Sequence, residues 1–238
     1  MELSGRYSVG LIYAAVALAI SFFPMWAFSA FIFLLCIFLS IELSRALSLN
    51  LVYSAAGGFL AQVFFNLGLS VVVLISFFEG LRRWSQDVFL KAIIIGVISG
   101  LLPADIVSIK REFGAIELLK LLAFVWSVDT ASYFVGKKFG KRKVFGKLSP
   151  NKTLEGLIGG IVAGLLVLIV LKGFDFTQKW GISLVIASVI GDLIMSFIKR
   201  LAGIKDFSKA LGEHGGLLDR LDALIFTAPF YLRALRGF

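Results

Sequence analysis

Residues 51–78, LVYSAAGGFLAQVFFNLGLSVVVLISFF, run for 28 positions without a charge. A helix that crosses the hydrocarbon of a bilayer needs roughly 17–25 mostly apolar residues. The run is therefore too long for one upright helix, while each half is short. Asn66-Leu67-Gly68 marks a turn inside it, because Asn and Gly are the usual punctuators of regular structure. The stretch reads as two short spans, 50–65 and 67–80. This choice sets the number of crossings, and with it the side of the membrane on which every later loop falls.

Composition carries the same reading to the whole chain. The 238 residues are 59% hydrophobic and 16% charged, and mean hydropathy is +0.95. A soluble domain would be nearer half apolar and a quarter charged. The apolar residues fall in blocks, so lipid is the expected solvent and the fold class is an all-α, polytopic integral membrane protein with about nine transmembrane helices. The expected spans are 8–23, 25–47, 50–65, 67–80, 88–108, 114–136, 154–172, 180–200 and 219–236. The segment after Arg6 lacks a strongly basic start and an A-x-A site, so it reads as a retained first span. Cys36 is the only cysteine, which excludes an internal disulfide and a cysteine-built metal site. The formal net charge of +9 sits in short loops between spans. That placement fits topology, anionic lipid heads or phosphorylated substrates, and argues against nucleic acid.

Lysines and arginines test the orientation. With nine spans and the N-terminus inside, Lys110, Arg111, Lys172, Lys179, Arg233 and Arg236 fall outside and Lys120 within a span. The remaining 17 of the 24 basic residues fall on the cytoplasmic side, which supports N-in, C-out. Merging the third and fourth spans would leave the two richest basic loops cytoplasmic through a flipped orientation. The expected organisation is an N-terminal group of helices at 1–110, serving as scaffold with possible oligomer contacts, and a catalytic transmembrane bundle at 111–238. Its cytoplasmic loops are 137–153 and 200–218.

Nearly all intramembrane polar groups lie between residues 120 and 222. In VDTASYFVGKKFGK, Asp129, Ser132, Tyr133 and Gly136 share one helix face. An aspartate there is costly unless it meets a partner, a cavity or an ion. In LSPNKTLEGLIGG, Ser149-Pro150 ends an extended loop. Lys152, Thr153 and Glu155 then open a helix that Thr153 or Asn151 caps, an arrangement suited to phosphate. Gly156, Gly160 and Gly164 recur at four-residue spacing, for close helix packing within the chain or in a dimer. In IGDLIMSFIKRLAGIKD, Asp192, Ser196 and Lys199 lie on one stripe beside Arg200. Asp192 and Lys199 are seven residues apart, far for direct contact, so an ion or a neighbouring helix is the expected partner of Asp192.

The last cluster is GEHGGLLDRLD, residues 212–222. Asp219 and Asp222 are i and i+3, so both carboxylates can face one point with Arg220 turned aside. Mg²⁺ takes one or two carboxylates together with substrate phosphates. Gly215-Gly216 allows close approach of backbone to a ligand. His214, the only histidine, could be a ligand, a base or a phosphate-facing donor. Carboxylates for a divalent cation, with cations and backbone amides for phosphates, are the parts for phosphoryl or nucleotidyl transfer.

SFIKRLAGIKDFSKALGEHGGLLDRLD resembles the signature of the CDP-diacylglycerol synthase family, the phosphatidate cytidylyltransferases. Ser196, Lys199, Arg200, Lys205, Asp206, Gly212, His214, Gly215, Gly216, Asp219, Arg220 and Asp222 match its fixed positions. DTASYFVGKKFG and SPNKTLEGLIGG also look like family blocks, although Asn151 stands where a lysine is frequent. The resemblance covers residues 125–225; the first 110 match only as apolar spans. It implies transfer from CTP to phosphatidate, giving CDP-diacylglycerol and pyrophosphate in phospholipid biosynthesis, with Mg²⁺ required and a second, monovalent or divalent cation left open. It implies metal binding by Asp192 and Asp219 with Asp222 and Asp206 close by. Lys199, Arg200, Lys205 and Lys152 would neutralise phosphates, and His214 would position. Asp129, Ser149, Thr153, Glu155, Ser196, Gly215 and Gly216 would line the substrate site. A bacterial cytoplasmic membrane, an active site facing the cytoplasm, contact with membrane lipids and a homodimer option go with it. The rivals are a cytidylyltransferase or kinase for another lipid, and an ion-coupled transporter.

Overall fold

A computed structural model describes residues 15–49, 51–64, 66–212 and 215–237. The expected nine apolar segments each coincide with helical residues. The first is seen over 15–21. The next are α1 (Met25–Ala46), α2 (Val52–Phe64), α3 (Gly68–Arg83), α4 (Gln86–Gly96) and α5 (Leu102–Phe113). They are followed by α6 (Ala115–Phe139), α7 (Leu154–Lys172), α8 (Phe174–Leu201) and α9 (Leu218–Arg236). A π turn, Val97–Leu101, fuses α4 and α5 into one element. Among the described residues five elements are long and apolar enough to cross a membrane: α1, the fused Gln86–Phe113, α6, α7 and α8. The chain is a helical integral membrane protein.

Two compact units divide the chain: residues 1–119 with 206–218, and residues 120–205 with 219–238. The sequence boundary at 110 falls nine residues earlier, and loop 206–218 clusters with the N-terminal helices.

In the first unit the charge-free run folds as the hairpin α2–α3. Asn66 takes a left-handed conformation, φ 52°, which Asn tolerates better than most residues. A Cβ on Gly58 would come within 2.7 Å of a Val72 methyl, and one on Gly57 within 2.9 Å of Ile75. The missing side chains let the two short helices lie against each other. The fused α4–α5 element runs at both ends beyond the expected 88–108. Pro103 stands at the first turn of α5, where it has no N–H to give to the carbonyl one turn back. The π turn directly before it takes up that break.

The second unit is built on glycine. Gly156, Gly160 and Gly164 of α7 are buried, and their missing side chains admit α6. A Cβ on Gly156 would lie 2.7 Å from the Ser132 carbonyl oxygen, and one on Gly160 2.9 Å from that of Val128. The four-residue repeat serves packing inside the chain. Ser132 and Gly136 belong to that contact, while Tyr133, assigned to the same face, is 60% exposed. Gly160→Leu should therefore destabilise the protein by about 1–3 kcal/mol, the usual cost of overpacking. Thermal denaturation in detergent reads this as a lowered midpoint; an unchanged midpoint contradicts the α6–α7 seam.

One element was not expected. The basic loop after α6 holds an antiparallel hairpin, β1 (Lys143–Phe145) and β2 (Ser149–Thr153). Thr153 ends β2 and caps α7, its Oγ1 accepting from Gly156 N at 3.2 Å. Of the two expected caps, Thr153 is the one used. The helix α8 begins at Phe174, six residues before the expected start of its span, because Gly173 at φ 89° ends α7 and α8 follows at once.

Candidate active site

Within the second unit, β2, α8 and α9 each contribute charge to one place. Lys152 on β2 forms an ion pair with Asp192 on α8. Lys199, two turns further along α8, donates to Asp219 Oδ1 on α9 at 2.6 Å. The side chains of the first pair are 34% and 26% exposed, and those of the second 11% and 7%. The site thus has an outer pair and a nearly closed inner pair. Asp222, one turn past Asp219, lies within electrostatic reach of Lys199, Lys152 and Asp219. Asp129 on α6 is exposed and lies within reach of Lys152 and Asp222. Gly191 permits this approach of α8 to α9, since a Cβ there would meet Phe226 at 2.6 Å and the Asp222 carbonyl oxygen at 3.1 Å.

Four carboxylates (Asp129, Asp192, Asp219, Asp222) thus face two ammonium groups, so when all are ionised the cluster carries two more negative charges than positive. Burial lowers the pKa of Lys152, and Asp222 and Asp129 oppose that shift. Such a surplus in partly desolvated surroundings is offset either by a further cation or by protonation of a carboxylate. Among the described residues, no three His, Cys, Asp or Glu side chains stand close enough to hold an ion unaided. Mg²⁺ needs fewer, because substrate phosphates and water supply its remaining oxygens. The lysine ammonium groups already hold cation positions on Asp192 and Asp219. An all-oxygen, net-negative donor set of this kind fits a hard divalent cation.

The other expected site residues separate into groups. Arg200 is exposed and spans two loops, with Nη1 donating to the Ile204 carbonyl at 3.1 Å and Nε to that of Leu148 at 3.5 Å. Glu155 accepts from the backbone N–H groups of Lys141 and Arg142 at 3.0 and 3.2 Å, so it ties the loop after α6 to the start of α7. Thr153 is occupied as the cap. Ser196 is buried and Ser149 half-buried. Arg220, Lys205 and Asp206 are exposed. Gly215, at φ 82°, and Gly216 are buried in the first unit. His214 lies outside the described residues.

Sequence reasoning overlooked Glu42 of α1. It is buried and accepts from Ser208 Oγ at 2.5 Å, Leu217 N at 3.0 Å and Leu218 N at 2.8 Å. Its only sequence signal is a lone acid inside FLSIELSRA, a stretch read as span.

The cytidylyltransferase family model matches residues 4–238. The phosphatidate cytidylyltransferase of Aquifex aeolicus is 35% identical over 240 residues, covering 99% of this chain and 92% of its own length. That of Haemophilus influenzae is 33% identical over 184 residues, 69% of this chain and 63% of the relative. The Bacillus subtilis enzyme of the same name is 36% identical over 126 residues, 50% of this chain and 47% of the relative. The chain belongs to the cytidylyltransferase family. The match extends well beyond residues 125–225, into the N-terminal helices that sequence inspection related only by apolarity.

Proposed function

We propose that this chain is a phosphatidate cytidylyltransferase that makes CDP-diacylglycerol and pyrophosphate from CTP and phosphatidate, in phospholipid biosynthesis. The observation that carries the reading is the cluster of Lys152, Asp192, Lys199, Asp219 and Asp222 in a member of this family. Two lysines suit the phosphates of both substrates, and the surplus carboxylates suit a divalent cation that the phosphates would share. A phosphate oxygen of phosphatidate forms the new bond to the α-phosphorus of CTP, the α–β anhydride bond breaks, and pyrophosphate leaves. The attacking oxygen is already anionic, so no strong general base is required and His214 is assigned to positioning. Mg²⁺, held by Asp192 and Asp219 with Asp222 nearby, would supply charge neutralisation at the triphosphate. Lys152 and Lys199 orient the phosphates and offset charge on the leaving group.

On the same reading all nine helical segments cross the bacterial cytoplasmic membrane, with the N-terminus and the basic loops on the cytoplasmic side. The bias of 17 basic residues against six supports this.

Purified protein given CTP, Mg²⁺ and phosphatidate vesicles should form CDP-diacylglycerol, identified by mass, and chelation with EDTA should reduce the yield to background. Absence of any nucleotide-bearing lipid, with phosphatidate or another phosphorylated lipid, overturns the proposal. Product formation that survives EDTA overturns the metal assignment alone.

A further inference from the structure

The carboxylate of Glu42 is an expensive group to place in an apolar helix, and its partners show where it is used. Oε1 accepts from Ser208 Oγ and Leu217 N, and Oε2 from Leu218 N. Leu218 opens α9, so the acid satisfies N–H groups that the first turn of a helix leaves unpaired, at its positive end. Gly216 is fitted to the same carboxylate. A Cβ there would lie 2.8 Å from Oε1, 3.0 Å from Oε2 and 2.9 Å from Ser208 Oγ. Leu211 N donates to the Gly215 carbonyl at 3.0 Å. Ser208, Gly216, Leu217 and Leu218 are thus gathered on one acid supplied from more than 160 residues away in the sequence.

The residue bonded to Leu218 is Asp219, the partner of Lys199. We infer that Glu42 is a positioning residue for the reaction: by holding Ser208, Leu217 and Leu218 it sets the start of α9, and through it the direction of the Asp219 and Asp222 carboxylates. The inference rests on the cytidylyltransferase reading. In this role Glu42 acts through the bonds it accepts from Ser208, Leu217 and Leu218. Ala at 42 removes all three acceptor contacts. Gln keeps one acceptor oxygen but turns an amide donor toward N–H groups that need an acceptor.

The experiment compares wild type, Glu42→Ala, Glu42→Gln, Ser208→Ala and Asp219→Asn, all full-length and purified in detergent. Three quantities are read: kcat, the Mg²⁺ concentration giving half-maximal rate, and hydrogen exchange of the Leu217 and Leu218 amides in metal-free protein. Glu42→Ala should lower kcat about 10–100-fold, in the range seen when a supporting partner of a ligand is lost. It should also raise the half-saturating Mg²⁺ concentration and speed exchange at 217–218. Glu42→Gln should fall between it and wild type. Ser208→Ala removes the Oγ donation to the carboxylate and the Oγ acceptance from Ala210 N but leaves both backbone bonds in place, so it should lie closer to wild type than Glu42→Ala does. A purely structural cap would reduce the amount of folded enzyme without moving the half-saturating Mg²⁺ concentration.

Glu42→Ala with kcat and Mg²⁺ dependence within about twofold of wild type overturns the inference, whatever the exchange shows. Altered kinetics with unchanged exchange at 217–218 overturns it equally. If Glu42→Ala does not survive purification, Glu42→Gln carries the same three readouts. An active Asp219→Asn would instead mark failure of the site reading, so the two failures are told apart.

Discussion

Asp219→Asn is expected to reduce cytidylyl transfer by about 10²–10³-fold, the scale on which removal of one group that stabilises transition-state charge acts. The substitution changes two things. It removes an anion from the proposed metal and phosphate site, and it leaves Lys199, only 11% exposed, without its 2.6 Å partner. Breaking a buried pair by deleting one partner costs about 3–5 kcal/mol in stability. Activity could therefore fall because less protein is folded. Turnover per folded molecule separates the two effects, and Asp219→Asn should lack it even in the fraction that remains folded. Lys199→Gln combined with Asp219→Asn leaves no uncompensated charge in that pair, so its thermal midpoint should recover toward wild type. Wild-type turnover per folded Asp219→Asn molecule would show that Asp219 is structural.

Lys152→Met should behave differently because the outer pair is wetter. Lys152 and Asp192 are 34% and 26% exposed, and ion pairs in such surroundings add only about 0–1 kcal/mol to stability. The thermal midpoint should hardly move. The kcat/KM for CTP should nevertheless fall about 10²–10³-fold, because the ammonium proposed to hold the transferring phosphates is lost. Denaturation and kinetics on one preparation check both halves. A large drop in midpoint with proportionate loss of rate would make Lys152 a structural residue.

Much of this architecture was visible in the sequence because lipid imposes a simple rule on backbone and side chains. Each apolar block became a helix, Asn66 supplied the left-handed turn, Thr153 the cap and Gly156, Gly160 and Gly164 the seam. These are local signals, readable within a few residues. The pairing of charges was less legible. Asp192 was expected to find a partner other than Lys199, and that holds, but the partner comes from a strand and not a helix. The hairpin at 143–153 is short and polar, without the alternation that marks a strand. Glu42 was invisible for a different reason: its meaning depends on backbone N–H groups over 160 residues away, and no residue pattern records a backbone donor.

The central claim is that the nucleotide's α-phosphate, and not its γ-phosphate, ends up on the lipid. Wild-type protein in phosphatidate vesicles with Mg²⁺ should be given CTP labelled at the α-phosphorus in one reaction and at the γ-phosphorus in another. Cytidylyl transfer predicts label in the lipid phase from the first and in water-soluble pyrophosphate from the second. Lipid-phase label from γ-labelled CTP would instead mean a lipid kinase, and no lipid label from either would contradict the account altogether.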